Sequence, residues 1–307
     1  MLCPKCQFDH VDQTTECLRC GLVFAKYALL QEAVQPGALP VIIEEEPDEP
    51  TMRGEAKQEL ICRLLALPLA LLVTGLLVTT WGGLIRIFLS MWVHEAGHAV
   101  TAWLCGFGAF PGPWFTPVSN DRMLPVTVAV AAGLCYGVFR AWQTERWGVV
   151  TGGVIALVLQ LVGTTLPISQ ANALVIFGGD AGCLVLGTLL MATFYARRDS
   201  ALHRDALRWG FLVIGAAAFM DASHTWWGAR SDPGCIPFGE NEGVGLSDPS
   251  KLTEEFCWAM QSMVDRYVWL MVACLTFLVA IYAVGIVQAR AAWVQRNRRP
   301  DTLPIPR

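Results

Sequence analysis

Charge is what this sequence has least of. Only 16% of its 307 residues are charged, against about 25% in an ordinary soluble domain. The scarcity excludes a soluble globular enzyme, and with so much apolar residue it also excludes a disordered chain. A net charge of −4 gives no general pull toward nucleic acid. No glycine-rich phosphate loop ending in Lys-Ser or Lys-Thr is present. Eleven cysteines occur, but four gather near the N-terminus and most others sit singly in apolar blocks, which excludes a disulfide framework. Neither those lone cysteines nor the Ser223–His224 pair makes a nucleophile.

What fills the chain is apolar residue, 54% of it, with a mean hydropathy of +0.45. The apolar residues fall into seven blocks, roughly 60–81, 84–105, 124–142, 147–167, 171–196, 207–227 and 265–289. Each is near the ~20 residues that cross ~30 Å of hydrocarbon. Backbone groups in lipid must be satisfied within the segment, so the blocks are helices. The expected fold is an all-α polytopic membrane protein, a bundle of about six or seven transmembrane helices, with a small N-terminal zinc ribbon. Its divisions are 1–30, the ribbon; 31–59, an acidic Pro-rich linker; 60–291, the membrane domain; and 292–307, a basic tail. Arg140 and Arg146, then Arg197, Arg198, Arg204 and Arg208, then Arg290, Arg296, Arg298 and Arg299 mark cytoplasmic segments. A cytosolic N-terminus then needs an even number of crossings before Arg140, although three apolar blocks precede it. Either 60–81 or 84–105 falls short of a full crossing, or 106–123 dips back into the membrane.

The ribbon rests on Cys3-Pro-Lys-Cys6 and Cys17-Leu-Arg-Cys20. Two-residue spacing lets a tight turn aim both sulfurs at one ion, and two such turns complete a tetrahedral site for Zn²⁺. So short a segment buries no core, and the ion would supply the folding energy. Cys3 to Tyr27 resembles a zinc ribbon of the kind that begins many bacterial membrane proteins. Reduced thiolates imply the cytosolic side. The closed site implies a structural or partner-binding role, with a cytosolic protein as the partner. Lys5, Arg19 and Lys26, the only basic residues nearby, do not favour nucleic acid.

The chemistry lies in the second apolar block, at His94-Glu95-Ala96-Gly97-His98. On a helix, His94 and His98 share one face a turn apart, so both imidazoles reach one ion. Glu95 then lies where it can act on water as a general base. Two His and a Glu at mid-membrane are costly, on the order of 2.5–3.5 kcal/mol for a carboxylate alone, and a metal repays them. Ala96, Gly97 and Ala99 leave room for a neighbouring helix.

These residues, with Ala99 and Val100 in the same helix, resemble the site-2 protease family of intramembrane zinc metalloproteases. The resemblance is specific over about 25 residues and architectural elsewhere. It implies a helix bundle with zinc below the membrane surface, His94 and His98 as ligands, Glu95 as the base, and hydrolysis of peptide bonds in membrane proteins or peptides. It also implies a re-entrant hairpin after the motif helix, for which the Gly/Pro-rich stretch 106–123 is the candidate. In the family the third ligand is an Asp in a Leu-Asp-Gly motif, which this sequence lacks. Asp180, at the middle of the fifth block within Gly178-Gly179-Asp180-Ala181-Gly182, is the leading candidate, and Asp221 and His224 are the others. Asp221 and His224 otherwise read as an ordinary polar helix end, or one of them orients a ligand imidazole from behind. The polar stretch 228–264 is a loop that covers the site, binds an extended substrate or gates access; Ser247 or Asp248 would cap a short helix in it.

Three functions compete. The residues favour a zinc-dependent intramembrane endopeptidase acting within the lipid bilayer, in a bacterial inner membrane with the ribbon cytoplasmic. A prenyl-type membrane endopeptidase would need a late Glu on a helix, and Glu240 and Glu242 fall in a loop. A non-catalytic binding or regulatory protein, or a metal carrier, would keep the metal site without hydrolysis.

Overall fold

The computed structural model describes residues 49–196, 206–241 and 245–298, together with 200 and 202 and, near the N-terminus, 3, 5, 15–17, 19, 20 and 22–27. Cys6, Arg197, Arg198, Arg204, Glu242, Gly243 and Arg299 lie outside the described residues, as do 31–48 of the expected linker and 299–307 of the expected tail. The chain divides into two units, Met1–Met52 and Arg53–Arg307.

In the first unit a knuckle forms around Cys17. Its amide donates to Leu22 O at 2.8 Å, Phe24 N–H donates to Thr15 O at 3.1 Å, and Glu16 bridges Val23. Cys3 and Cys17 are buried.

The second unit is helical. Helix α1 spans Glu49–Ile85, a π-turn Arg86–Ser90 follows, and α2 spans Met91–Leu104. A hairpin of β1 (Phe107–Ala109) and β2 (Val118–Arg122) leads to α3 (Leu124–Gln143), α4 (Trp147–Thr165) and α5 (Ile168–Ala192). After a 3₁₀ turn, Thr193–Tyr195, come α6 (Leu207–Gly228) and a second 3₁₀ turn, Pro233–Cys235. The small pair β3 (Glu240–Asn241) and β4 (Gly245–Leu246), the short α7 (Asp248–Glu254) and the long α8 (Met260–Arg298) complete it.

Five helical runs among the described residues are long and apolar enough to cross a membrane. Two expected blocks, 60–81 and 84–105, belong to a single run, Gly54–Leu104. The run is two helices joined across a kink at Trp81 (φ −134°, ψ 37°), and it widens in the π-turn. The block 207–227 is the helix α6 but is not one of the five. Both ends of the expected membrane domain extend. Residues 49–59 form the start of α1, where Glu, Ala, Lys, Gln and Leu are good helix formers. Residues 292–298 continue α8.

The helices differ in what covers them. The most apolar window of α5 is 61% buried, while those of α3 and α4 are 6% and 11% buried. So α5 is the central post and α3–α4 a hairpin on the lipid side. A core of apolar side chains joins α5, α6 and α8, with Leu184, Phe194, Leu212 and Met263 fully buried. Within it the Trp226 and Tyr267 rings stack at 3.9 Å between centroids, and Tyr267 stacks on Phe177 at 4.2 Å.

Helices α2 and α5 cross at glycines. A Cβ on Gly97 would clash with Gly178 O and come within 2.7 Å of Gly182 Cα. Backbones approach this closely only where no side chain intervenes, the small-residue contact typical of helices in lipid. The expected close approach at Gly97 is met by an equally bare face of α5. Behind α2, Gly106 (φ +84°) turns the chain into the β1–β2 hairpin. There Arg122 donates to Cys105 O, Gly163 O and Leu166 O, satisfying carbonyls at the ends of α2 and α4.

Candidate metal centre

His94, Glu95 and His98 lie on α2 and all three are buried. The imidazoles of His94 and His98 meet edge to face, their centroids 4.7 Å apart. His98 Nδ1 lies 2.7 Å from Val175 O. A carbonyl has no proton to give, so Nδ1 of His98 carries the N–H. In the neutral ring Nε2 is then a bare lone pair. On His94, Nδ1 lies 2.9 Å from Asp180 Oδ1, which fixes the same tautomer.

The two Nε2 atoms are 3.1 Å apart, and Asp248 Oδ2 lies 3.0 Å from each. Three electron-pair donors thus converge on one point. Without a cation or added protons they would repel. A tetrahedral ion with ligand bonds of about 2.0–2.1 Å has ligand–ligand edges of about 3.3–3.4 Å, close to the triangle seen here. Two imidazoles and a carboxylate are also a donor set that Zn²⁺ takes in catalytic sites, with one position left open.

Asp248 opens α7, in the stretch 228–264. The expected cap was Ser247 or Asp248; Ser247 takes the N-cap position without a side-chain cap bond, and its hydroxyl bonds Ser250 Oγ at 3.1 Å. Asp248 instead faces the histidines. A signal was present in the sequence, an Asp in a glycine-rich loop whose density of turns exceeds what a simple connection needs.

Asp180, the leading candidate for third ligand, stands behind the imidazole and not beside its free nitrogen. Its Oδ1 faces His94 Nδ1 and also accepts from Arg86 NH2 at 3.3 Å. Its Oδ2 accepts from Trp226 Nε1 at 2.9 Å. Asp180 thus stands on the Nδ1 side of His94, where with His94 and Cys183 it forms a second group of donor atoms close enough to hold an ion, apart from the group of His94, His98 and Asp248. Asp221 is bonded to Arg86 NH1 at 3.2 Å, and His224 is exposed on α6; neither joins the groups of donor atoms able to hold an ion among the described residues. Gly179 makes the room. A Cβ there would lie 2.5 Å from His94 Cε1 and 2.6 Å from His98 Nε2.

Glu95 points to the same space. Its Oε2 accepts from Thr116 Oγ1 at 2.7 Å, and its own carbonyl lies 3.0 Å from that hydroxyl. Thr116 lies between β1 and β2, so the stretch 106–123 holds the carboxylate in place. A cavity of about 500 Å³ opens at the centre, lined by Glu95 with His94, His98 and Asp248, by Trp114 and Phe115 between the hairpin strands, and by Pro237, Leu246 and Pro249 from the loop.

No protein-family model, curated protein or solved structure matches this chain. The centre stands on its own chemistry.

In the N-terminal unit Cys3 Sγ and Cys20 Sγ are 3.7 Å apart, and Cys17 Sγ completes a group within 4.8 Å. Zn–S bonds of about 2.3 Å give tetrahedral edges of about 3.8 Å. Three of the four expected sulfurs are therefore spaced as ligands; the fourth, Cys6, lies outside the described residues.

Proposed function

We propose that the chain is a zinc-dependent intramembrane endopeptidase. The observation that carries this reading is the convergence of two bare imidazole nitrogens and the Asp248 carboxylate at a cavity, with a buried glutamate as the next residue on the helix. His94, His98 and Asp248 would hold the ion, and Asp180 would orient His94. Zn²⁺ held there supplies a Lewis acid that polarises a peptide carbonyl and acidifies water.

The chain's own residues do the rest. Glu95 takes the proton of the attacking water and delivers it to the leaving amine as the C–N bond breaks. Thr116 keeps its carboxylate aimed into the cavity. The apolar walls receive an unwound stretch of a membrane protein or peptide. A helix entering this cavity must first give up its own hydrogen bonds, because its peptide groups are otherwise engaged.

The N-terminal unit would hold a second, structural Zn²⁺ through Cys3, Cys17 and Cys20 with Cys6. Counting Gly54–Leu104 as one span gives two crossings before Arg140. That is the even number a cytoplasmic ribbon requires in the inner membrane of a bacterium.

The test is Glu95→Gln in the full chain, reconstituted in liposomes with fluorogenic single-span peptides. Cleavage should fall by about 10²–10⁴-fold while the zinc content is unchanged. Equal cleavage by the variant rules out an endopeptidase of this kind. No cleavage by the wild type across peptides of varied sequence favours a binding or regulatory protein that keeps the metal.

A further inference from the structure

Arg86 carries the one guanidinium that reaches the Asp180 end of the centre among the described residues. It lies eight residues before His94, in the π-turn. On an unbroken α-helix eight residues turn about 800°, which would leave Arg86 about 80° off the face of His94. A π-turn accommodates one extra residue and takes about 100° back. Arg86 and His94 then share a face to within about 20°. The wide turn has a consequence in side-chain position, as such turns often do at functional sites.

On that face Arg86 sits between two carboxylates from different helices. NH2 lies 3.3 Å from Asp180 Oδ1 on α5, and NH1 lies 3.2 Å from Asp221 Oδ2 on α6. Asp180 Oδ1 is the same oxygen that faces His94 Nδ1. A continuous chain of contacts therefore runs from α6 through Asp221, Arg86 and Asp180 to His94. A guanidinium is suited to this place because its planar fork bonds two acceptors at fixed angles, which an ammonium does not. Carboxylates within a membrane are expensive unless paired, and Arg86 pairs both.

We infer that Arg86 is a positioning residue of the metal centre: by clamping Asp180 to Asp221 it fixes the ring of His94 and so the direction of its Nε2 lone pair. This rests on the metal reading above. It gives α6, which supplies no ligand, a part in setting affinity for the ion. Arg86 also lines the cavity, so a direct contact with substrate is the alternative that the test must separate.

The experiment is a Co²⁺ titration of the full chain in nanodiscs. Thiolate sites give a strong near-ultraviolet charge-transfer band, and a nitrogen–oxygen site gives only visible bands, so the two centres are read separately. Arg86→Gln should weaken the nitrogen–oxygen site about 10–100-fold, the range for removing an outer partner of a ligand, and leave the thiolate band unchanged. Arg86→Lys should recover part of the loss. Arg86→Gln combined with Asp180→Asn should be no weaker than Asp180→Asn alone, because both act through one contact. Should Arg86→Gln fail to fold, Arg86→Lys and Asp221→Asn report the same coupling.

An Arg86→Gln affinity within twofold of the wild type overturns the inference, and so does a change in KM for peptide with metal affinity intact. Full additivity with Asp180→Asn overturns it as well. If His94→Ala/His98→Ala keeps the visible bands, the metal reading fails instead, and the role of Arg86 with it.

Discussion

Cys3 and Cys20 bring their sulfurs together from 17 positions apart, whereas His94 and Asp248 are 154 positions apart. The sulfur group stands in a unit with a few backbone hydrogen bonds around one knuckle. The nitrogen–oxygen group stands where α2, α5 and α7 meet. Its rings are held from behind by Val175 O and Asp180, contacts that need no ion. On the proposed zinc reading the same metal would do two jobs: at the tip it would substitute for a missing core, and in the membrane domain it would fill a position that packing has already prepared.

Metal removal probes that contrast with the largest effect. Stripping the full chain with a strong chelator should abolish amide-exchange protection around residues 15–27. Protection in α2 and α5 should persist, because the glycine crossing and the α5–α6–α8 core remain. Hydrogen-exchange mass spectrometry with and without added Zn²⁺ reads both regions at once. Equal loss of protection in the two would erase the difference between them.

A smaller effect sharpens the assignment of ligands. Asp180→Ala should weaken the membrane centre about 10–100-fold, as for other outer partners of a ligating imidazole. Asp248→Ala should weaken it further and should also loosen the segment 229–259, since that loop is tied to the centre through this carboxylate. Zinc competition assays rank the two. If Asp180→Ala costs more than Asp248→Ala, then Asp180 and not Asp248 is the ligand.

The two regions were also unequally legible in the sequence. The grouping of Cys3, Cys17 and Cys20 and the shared face of His94 and His98 could be read because donor groups at short spacing are a local property: a turn, or one helical face. The glycine contact at Gly97 was legible for the same reason. What could not be read was the partner brought in from elsewhere. Asp180 attracts notice because an acid at mid-helix in lipid requires a role, but that requirement holds equally for a ligand and for the acid behind a ligand. Depth does not tell the Nδ1 side of a ring from its Nε2 side. Asp248 drew no such notice, since an Asp after Ser and before Pro is usual at a helix start. Only the path of 229–259 over the cavity gives it a second role. Arg86 was hidden by its π-turn, because α-helical periodicity puts it off the face of His94. The joining of 60–81 to 84–105 was hidden by Gly82 and Gly83, which mark a break in composition beside the kink at Trp81.

The smallest expected effect concerns the base and not the ion. Thr116 donates to Glu95 Oε2 at 2.7 Å, a short bond to a carboxylate. Thr116→Val keeps the shape of the side chain and removes the donor. Glu95 would then keep its place on α2 but lose the contact that fixes its rotamer. Losing one hydrogen bond to a charged group costs about 1.5–3 kcal/mol where it acts fully. Because the carboxylate can turn toward water in the cavity, the lower end applies, and peptide cleavage should fall about tenfold. Zinc content and exchange protection should not change, since Thr116 touches neither imidazole. A matching loss of zinc in Thr116→Val would mean that the hairpin supports the ligands themselves, and the division between a prepared metal position and a separately held base would fail.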